Sequence, residues 1–377
     1  LPVHNFRFGS HQQAPRLYKS EFTPYFSLGI PDGCWYGCTL ACARSVDQFT
    51  PRTGPYKDQV VHVDAPEYET VAGIGSNCGI FDPHAVLEAN FYCDLYGLDT
   101  ISFGTSLAFA MECYEAGILN RERTGGLELH FGNADAMLEI LHQIAANEGF
   151  GPTVGLGVRQ MKGIFAEKYG ADPQFLQDIG MECKGLEYSE YVSKESIAQQ
   201  GGYGMANKGP QHDEAWLIFM DAINKQIPTF EDKAEALHYF PMFRTWFGLN
   251  GLCKLPWNDV EPADNKKKHP PRVAARVPEH VDNYIRLFRA VTGRTDVNEP
   301  EDLIRMSEPA YNLQRLFNLR MGFGTREHDA IPYRSMGPVT SEEYESRAER
   351  YDAQLKEAGI DATGQTTAQK VQLLRQH

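Results

Sequence analysis

No stretch of the sequence reaches the ~18 consecutive apolar residues that a membrane-crossing helix requires, which predicts a soluble protein. The opening LPVHNFRFGS lacks the basic-then-apolar layout of a secretory signal, and it also lacks an initiator Met, as expected of a fragment or a processed piece. Cysteine is scarce: eight among 377 residues are too few for a disulfide scaffold. Positive charge is in deficit. With 36 Lys and Arg against 50 Asp and Glu the formal charge is −14, a poor match for nucleic acid or an anionic membrane. Alternating strand patterns are few, and there is no tandem repeat or low-complexity tract. The remainder is ordinary globular composition, 42% hydrophobic and 11% aromatic, and the length predicts two or three domains.

The chain up to about Gln48 is rich in Pro, Gly and aromatics and reads as an extended lead-in. Helical patterning begins after Gly75. Asp82-Pro83 is a cap followed by a first-turn proline, with Ala85, Val86 and Ala89 at helical spacing and Gly97 as the stop. Thr105 or Ser106 is expected to open a second helix that ends at Gly117, Asn133 a third that ends at Gly149, and Val158–Lys168 a fourth. Further helical patterning falls at Asp213–Ile223, Pro278–Thr292, Glu301–Met306 and Tyr311–Met321. The segment Glu261–Arg272, with Lys266, Lys267 and Lys268, reads as a solvated loop. The expected class is therefore mainly α, with domains at 1–180 and 181–377.

Cys34, Cys38 and Cys42 form C-x3-C-x3-C in GCWYGCTLACAR, and thiolates so close together suit an iron–sulfur cluster. Three ligands leave one iron short, and Cys253 in GLNGLCKLPW, beside glycines that allow close backbone approach, is the best fourth. Zinc is a second reading, although it favours tighter C-x2–4-C pairs. A helix with small apolar residues at i, i+4 and i+8 is the third, since such a face buries cysteine cheaply. Cys78, Cys93, Cys113 and Cys183 are isolated and read as buried thiols.

Several segments together resemble one family, the tungsten-dependent aldehyde:ferredoxin oxidoreductases. They include LPVHNFRFGS with CWYGCTLAC, the run ETVAGIGSNCGIFDPHAVLEANFYCDLYGLDTISFGTSLAFAMECYEAGIL, the segment GNADAMLEILHQIAANEGFG, and CKGLEYSEY. AVTGRTDVNEPEDLIRMSEPAYNLQRLFNLRMGFGTREHDAIPYR and GIDATGQTTAQK complete the series in the family's order. The resemblance implies two helical domains that enclose a tungsten (or molybdenum) bis-pterin cofactor and an adjacent [4Fe–4S] cluster held by Cys34, Cys38, Cys42 and Cys253. Of the two pterin-binding segments of the form D-x-x-G-L-(C/D), the first stands as Asp94-Leu95-Tyr96-Gly97-Leu98-Asp99. The second, Gly248 to Lys254, keeps Gly-Leu-Cys-Lys but has Gly248 where an Asp is expected. Asp94, Leu98, Asp99, Cys253 and Lys254 are the implied cofactor contacts. The cysteine spacing also departs from the family's C-x2-C-x3-C, which makes Cys34 the loosest match.

The same resemblance implies catalytic roles for Glu69, as the carboxylate that takes a proton, and for His212, as the imidazole that polarises the substrate carbonyl. Read without it, both are ordinary polar residues, and Glu67 is as available as Glu69. Glu88, with His84 one turn before it, matches a position that in some members ligates an iron between two subunits, which would go with a homodimer. The implied reaction is aldehyde oxidation to a carboxylic acid, with electrons passing to ferredoxin or an iron–sulfur partner subunit. The implied setting is cytoplasmic. Nothing in the sequence matches the family's β-rich pterin-saddle domain, so a separate N-terminal pterin-binding domain is an expected partner. Two other functions stay open: reduction of an aromatic acyl-CoA ring with the same cofactor, and a cofactor-free structural subunit.

Overall fold

A computed structural model describes residues 1–27, 33–34, 37–38, 41–194, 196–223, 225–255 and 281–337. The expected loop Glu261–Arg272 and the GIDATGQTTAQK tail lie outside the described residues. Asp82 accepts the His84 amide at 3.0 Å and Pro83 fills the first turn, so the helix Pro83–Tyr96 starts with its free amides satisfied. Gly97, at φ 69°, closes it. The next helix starts earlier than Thr105 and runs Thr100–Glu115, because Asp99 caps it through the Ser102 amide at 2.7 Å. Gly104 lies inside this helix and lets it press on another backbone: a Cβ there would stand 2.6 Å from the carbonyl carbon of Gly73.

Asn133 caps Ala134–Ala146, and Asn147 in the left-handed region, rather than Gly149, ends it. Gly157–Tyr169 follows, then Pro173–Ile179 behind Asp172. These five helices share one core in which Leu107, Phe109, Leu141, Met161 and Phe165 are fully buried. Each such side chain contributes about 1.5–3 kcal/mol relative to exposure.

A second apolar cluster joins Ile197–Met205, Phe230–Leu249, Val281–Thr292 and Pro300–Arg320 around Phe243, Trp246, Phe247 and Leu303. The helix Phe230–Leu249 gave no sequence signal, because its apolar residues are spread around the whole circumference and Pro241 interrupts it. A reciprocal Thr229–Asp232 capping box starts it. The expected pieces Glu301–Met306 and Tyr311–Met321 are one helix passing through Pro309. Of the expected helix Asp213–Ile223, only a wide π turn, Phe219–Ile223, forms.

Strand is confined, among the described residues, to two short antiparallel hairpins, Ser45–Phe49 with Val61–Asp64 and Glu182–Cys183 with Leu186–Glu187. The mainly α class is thus observed. The opening residues are buried rather than a loose lead-in. His4, Asn5 and Phe6 all take left-handed φ (51°, 55° and 58°), a conformation that costs roughly 1–2 kcal/mol per residue. It is held by amides from Asn5 and Phe6 to the backbone and side chain of Asn77, at 3.0 and 2.8 Å. The Asn5 amide group also donates to Glu112, which pairs with Arg7 and Arg334 at 2.8 Å each. Burial alone would raise the Glu112 carboxyl; Arg334 and then Arg7 reverse that and hold it below the usual range. Chain start, middle helix and residue 334 are thereby locked together.

Candidate functional site

Glu69 sits in a single helical turn, Tyr68–Thr70, that widens into a π turn, Val71–Gly75, before a tight turn ends at Gly79. Gly73 in that π turn has no room for a side chain, since a Cβ would meet Glu190 Oε1 at 2.8 Å. The backbone carrying Glu69 is thus pressed between the helix Thr100–Glu115 and the segment Ser189–Glu190. His212 lies on the loop after Gly209-Pro210, which is tied to this segment by the Ser189 amide donating to the Pro210 carbonyl at 3.0 Å.

The two expected catalytic residues meet. Glu69 Oε1 lies 3.0 Å from His212 Nδ1. Ser189, fully buried, sits between them: its Oγ is 2.6 Å from Glu69 Oε1 and 2.7 Å from His212 Nδ1. The Glu190 amide donates to Glu69 Oε2 at 2.6 Å, so both carboxylate oxygens are engaged. Tyr191 stands edge-to-face on the His212 ring at 4.9 Å, with Trp216 6.3 Å from it. Tyr68 stacks on Tyr191 at 4.6 Å and donates its hydroxyl to the Glu190 carbonyl.

Glu190 itself is entirely buried. One oxygen meets Thr105 Oγ1 at 2.7 Å and the other has no hydrogen-bond partner. Burial, and then the charge of Glu69, push its carboxyl well above the ordinary range, while the Thr105 bond opposes them weakly.

A cavity of about 1070 Å³ opens beside this site. Cys34 and Cys42 line it, with Glu67, Tyr68, Asn90 and Asp94. Cys34, Cys42 and Cys253 are exposed and Cys38 partly so, whereas Cys78, Cys93, Cys113 and Cys183 are buried, as their isolation in the sequence suggested. Burial and then Glu67 raise the Cys42 thiol, a backbone hydrogen bond opposes them, and Cys34 and Cys253 add smaller effects. Among the described residues no three metal-ligating side chains stand together at ligand distances. Three thiols close in sequence and a fourth from a distant segment, none of them buried, are the donor chemistry that an iron–sulfur cluster takes.

Asp94 lines this cavity, and burial followed by the charge of Asp64 raises its carboxyl. Leu98 packs against the first core, and Asp99 serves as the cap of the following helix. At the second motif, Gly248 and Lys254 line another cavity, of about 700 Å³, with Asp213, Glu214, Leu313 and Phe317. Lys254 pairs with Asp213 at 2.8 Å, and Arg244, buried, donates to the carbonyls of Asp213 and Lys254. Burial opposes it, but hydrogen bonds from Lys208 and Lys254 bring the Asp213 carboxyl to about 2. The second motif is therefore stapled to the residue next to His212.

Glu88 is fully enclosed by its own chain: Oε1 accepts the Thr53 amide at 2.7 Å and the Thr53 hydroxyl at 2.6 Å, and Oε2 lies 3.7 Å from His84 Nδ1. Neither Glu88 Oε2 nor His84 Nδ1 has a hydrogen-bond partner. Lys266–Lys268 lie outside the described residues. Sequence reading missed Ser189, Glu190, Tyr191 and Asp213. The first three sit in CKGLEYSEY and Asp213 follows His212, but nothing in their spacing shows that the two segments converge.

Residues 1–375 match the family model for aldehyde ferredoxin oxidoreductase, domains 2 and 3. The tungsten-containing aldehyde ferredoxin oxidoreductase of Pyrococcus furiosus is 30% identical over 340 residues, covering 88% of this chain and 49% of that protein. The aliphatic sulfonate oxidoreductase WOR-like subunit of the same organism is 34% identical over 178 residues, covering 44% of this chain and 27% of the relative. The chain thus spans about half the length of the curated aldehyde ferredoxin oxidoreductases it matches. Among solved structures, a chain of the active-site complex of benzoyl coenzyme A reductase with 1,5-dienoyl-CoA superposes with TM-score 0.62 at 15% identity, over 94% of this chain and 53% of its own. At that identity the likeness concerns the fold alone.

Proposed function

This chain belongs to the aldehyde ferredoxin oxidoreductase family, and on that premise we propose that it is the catalytic part of an oxidoreductase that converts aldehydes to carboxylic acids. The observation that carries the reading is the meeting of Glu69 and His212 within 3.0 Å, while Glu67 and Tyr68, the neighbours of Glu69, line one cavity with Cys34 and Cys42. A carboxylate and an imidazole side by side are suited to moving the proton of an attacking water and orienting a carbonyl.

Cys34, Cys38, Cys42 and Cys253 would hold a [4Fe–4S] cluster. Asp94 and Asp99 would face one pterin and Lys254 the other, with Leu98 packing behind the first. When bound, a tungsten or molybdenum bis-pterin supplies a Lewis acid and a two-electron sink, and the cluster a one-electron exit. Tyr191 and Trp216 flank the His212 ring, and Tyr68 stacks on Tyr191 behind it. A pterin-binding domain, in the same polypeptide or a separate one, would complete the cofactor site, and electrons would leave to ferredoxin or an iron–sulfur subunit. Among the described residues no helix is long and apolar enough to cross a membrane, and the eight unpaired cysteines suit a reducing, cytoplasmic setting.

The test is aldehyde-dependent reduction of a one-electron dye by anaerobically purified protein. Turnover with aldehydes that is lost in Glu69→Gln supports the proposal. Dye-coupled turnover only with an aromatic acyl thioester, or none from metal-loaded protein, contradicts it.

A further inference from the structure

The contacts of Ser189 divide the work between Glu69 and His212. Ser189 has one hydroxyl proton, and its two closest partners are Glu69 Oε1 at 2.6 Å and His212 Nδ1 at 2.7 Å, with the Tyr203 hydroxyl also nearby. An ionised carboxylate only accepts, and Glu69 already takes the Glu190 amide on its other oxygen at 2.6 Å. The hydroxyl proton therefore points to Glu69, and the Ser189 oxygen turns a lone pair toward His212. Nδ1 must then carry a hydrogen, which also points toward Glu69 Oε1 at 3.0 Å. In a neutral ring this leaves Nε2 as the unprotonated nitrogen.

We propose that Ser189, buried between Glu69 and His212, fixes His212 as its Nδ1–H tautomer, so that Nε2 is the proton-accepting atom of the site and Glu69 is the group that orients it. This exchanges the roles that the family resemblance implies for the two residues. Its catalytic half rests on the aldehyde reading above; its tautomeric half does not.

The surroundings agree with that assignment. Ser189 is fully enclosed. Glu190, behind Glu69, is fully buried with one oxygen unpartnered, and burial and then Glu69 push its carboxyl well above the ordinary range, while its backbone amide donates to Glu69 Oε2. Tyr191 and Trp216 flank the imidazole and hold its plane. Asp213, the next residue, is occupied by Lys208 and Lys254 and does not compete for the ring. The His212 side chain is still 29% exposed, so the ring is accessible from outside.

Chemically, one O–H bond of a water molecule breaks as its oxygen electron pair forms the bond to the aldehyde carbon. The carbonyl π pair moves onto the carbonyl oxygen, and the released proton binds the Nε2 lone pair. Only then does Nε2 have a hydrogen to donate to that oxygen. His212 accepts first and polarises second. Ser189 and Glu69 are positioning residues in this scheme.

The experiment is a long-range proton–nitrogen correlation spectrum of the full chain labelled with 15N-histidine. The His212 ring is identified among twelve histidines by its loss in His212→Gln. The expected result is a pyridine-type Nε2 and a pyrrole-type Nδ1 in the neutral ring, with exchange-averaged nitrogens in Glu69→Gln. A pyrrole-type Nε2, or a spectrum unchanged by Glu69→Gln, overturns the proposal. Turnover gives the second readout. His212→Asn keeps an amide near Nδ1 but places no acceptor at Nε2, and it should lower aldehyde turnover by roughly 10²-fold or more. Retained turnover would also overturn the proposal. The spectrum decides the tautomer whether or not the wild type oxidises aldehydes, so a failure of the aldehyde reading is seen separately.

Discussion

The two segments that resemble pterin-binding motifs end in contrasting surroundings. Asp94–Asp99 leaves a helix sunk in the first core, keeps its acid, and presents Asp94 to a cavity where burial and Asp64 raise its carboxyl. Gly248–Lys254 ends a helix of the second core and has no acid of its own. Asp213, from the loop that carries His212, occupies that cavity instead, brought to about 2 by hydrogen bonds from two lysines despite partial burial. The lesson is that an acidic group lost from a motif can be present in its cavity from another segment. A departure such as Gly248 is then weak support for a degenerate, cofactor-free chain.

The largest expected effect tests whether both sides serve one centre. Glu69→Gln should cut aldehyde turnover by roughly 10²–10⁴-fold, with the far-ultraviolet spectrum unchanged. A residual rate near wild type would place the chemistry elsewhere. Next comes the rigidity of the first side. Gly104→Ala would drive a Cβ to 2.6 Å from the Gly73 backbone, and it should cost about 1–3 kcal/mol or more in urea denaturation. A neutral result would show that this contact does not hold the Glu69 turn.

The acids of the two sides should respond oppositely to pH. Asp213 has a folded pKa below its ordinary value, so its stabilisation is full above about 3.8 and is lost as pH falls toward 2. Asp213→Asn should therefore cost on the order of 1 kcal/mol at pH 7 and nothing near pH 2. Asp94, raised by burial and Asp64, works the other way: acidification relieves it, so Asp94→Asn should stabilise at neutral pH and not at low pH. Thermal melts across that range would read both. The smallest effect is at Gly248, where a Cβ meets nothing within 4 Å. Gly248→Ala should stabilise the helix by about 0.5–1 kcal/mol.

Where local chemistry set an element, the sequence showed it. Asp82-Pro83 and Gly97 bracketed one helix correctly, and isolated Cys93 and Cys113 proved buried. Where the cause was long-range, the sequence was silent or misleading. The helix expected from Thr105 or Ser106 begins at Thr100, with Gly104 inside it pressed on Gly73. Phe230–Leu249 hid because an apolar circumference with an internal proline has no helical stripe. Glu69 and His212 were identifiable only through family resemblance, and Ser189 not at all, because its two hydrogen bonds reach segments distant in sequence.

The measurement that bears most directly on the account is elemental analysis of the anaerobically purified protein for tungsten, molybdenum and iron. The account predicts about four irons and one tungsten or molybdenum per chain. Folded protein containing neither would contradict the oxidoreductase reading and leave the chain a structural subunit.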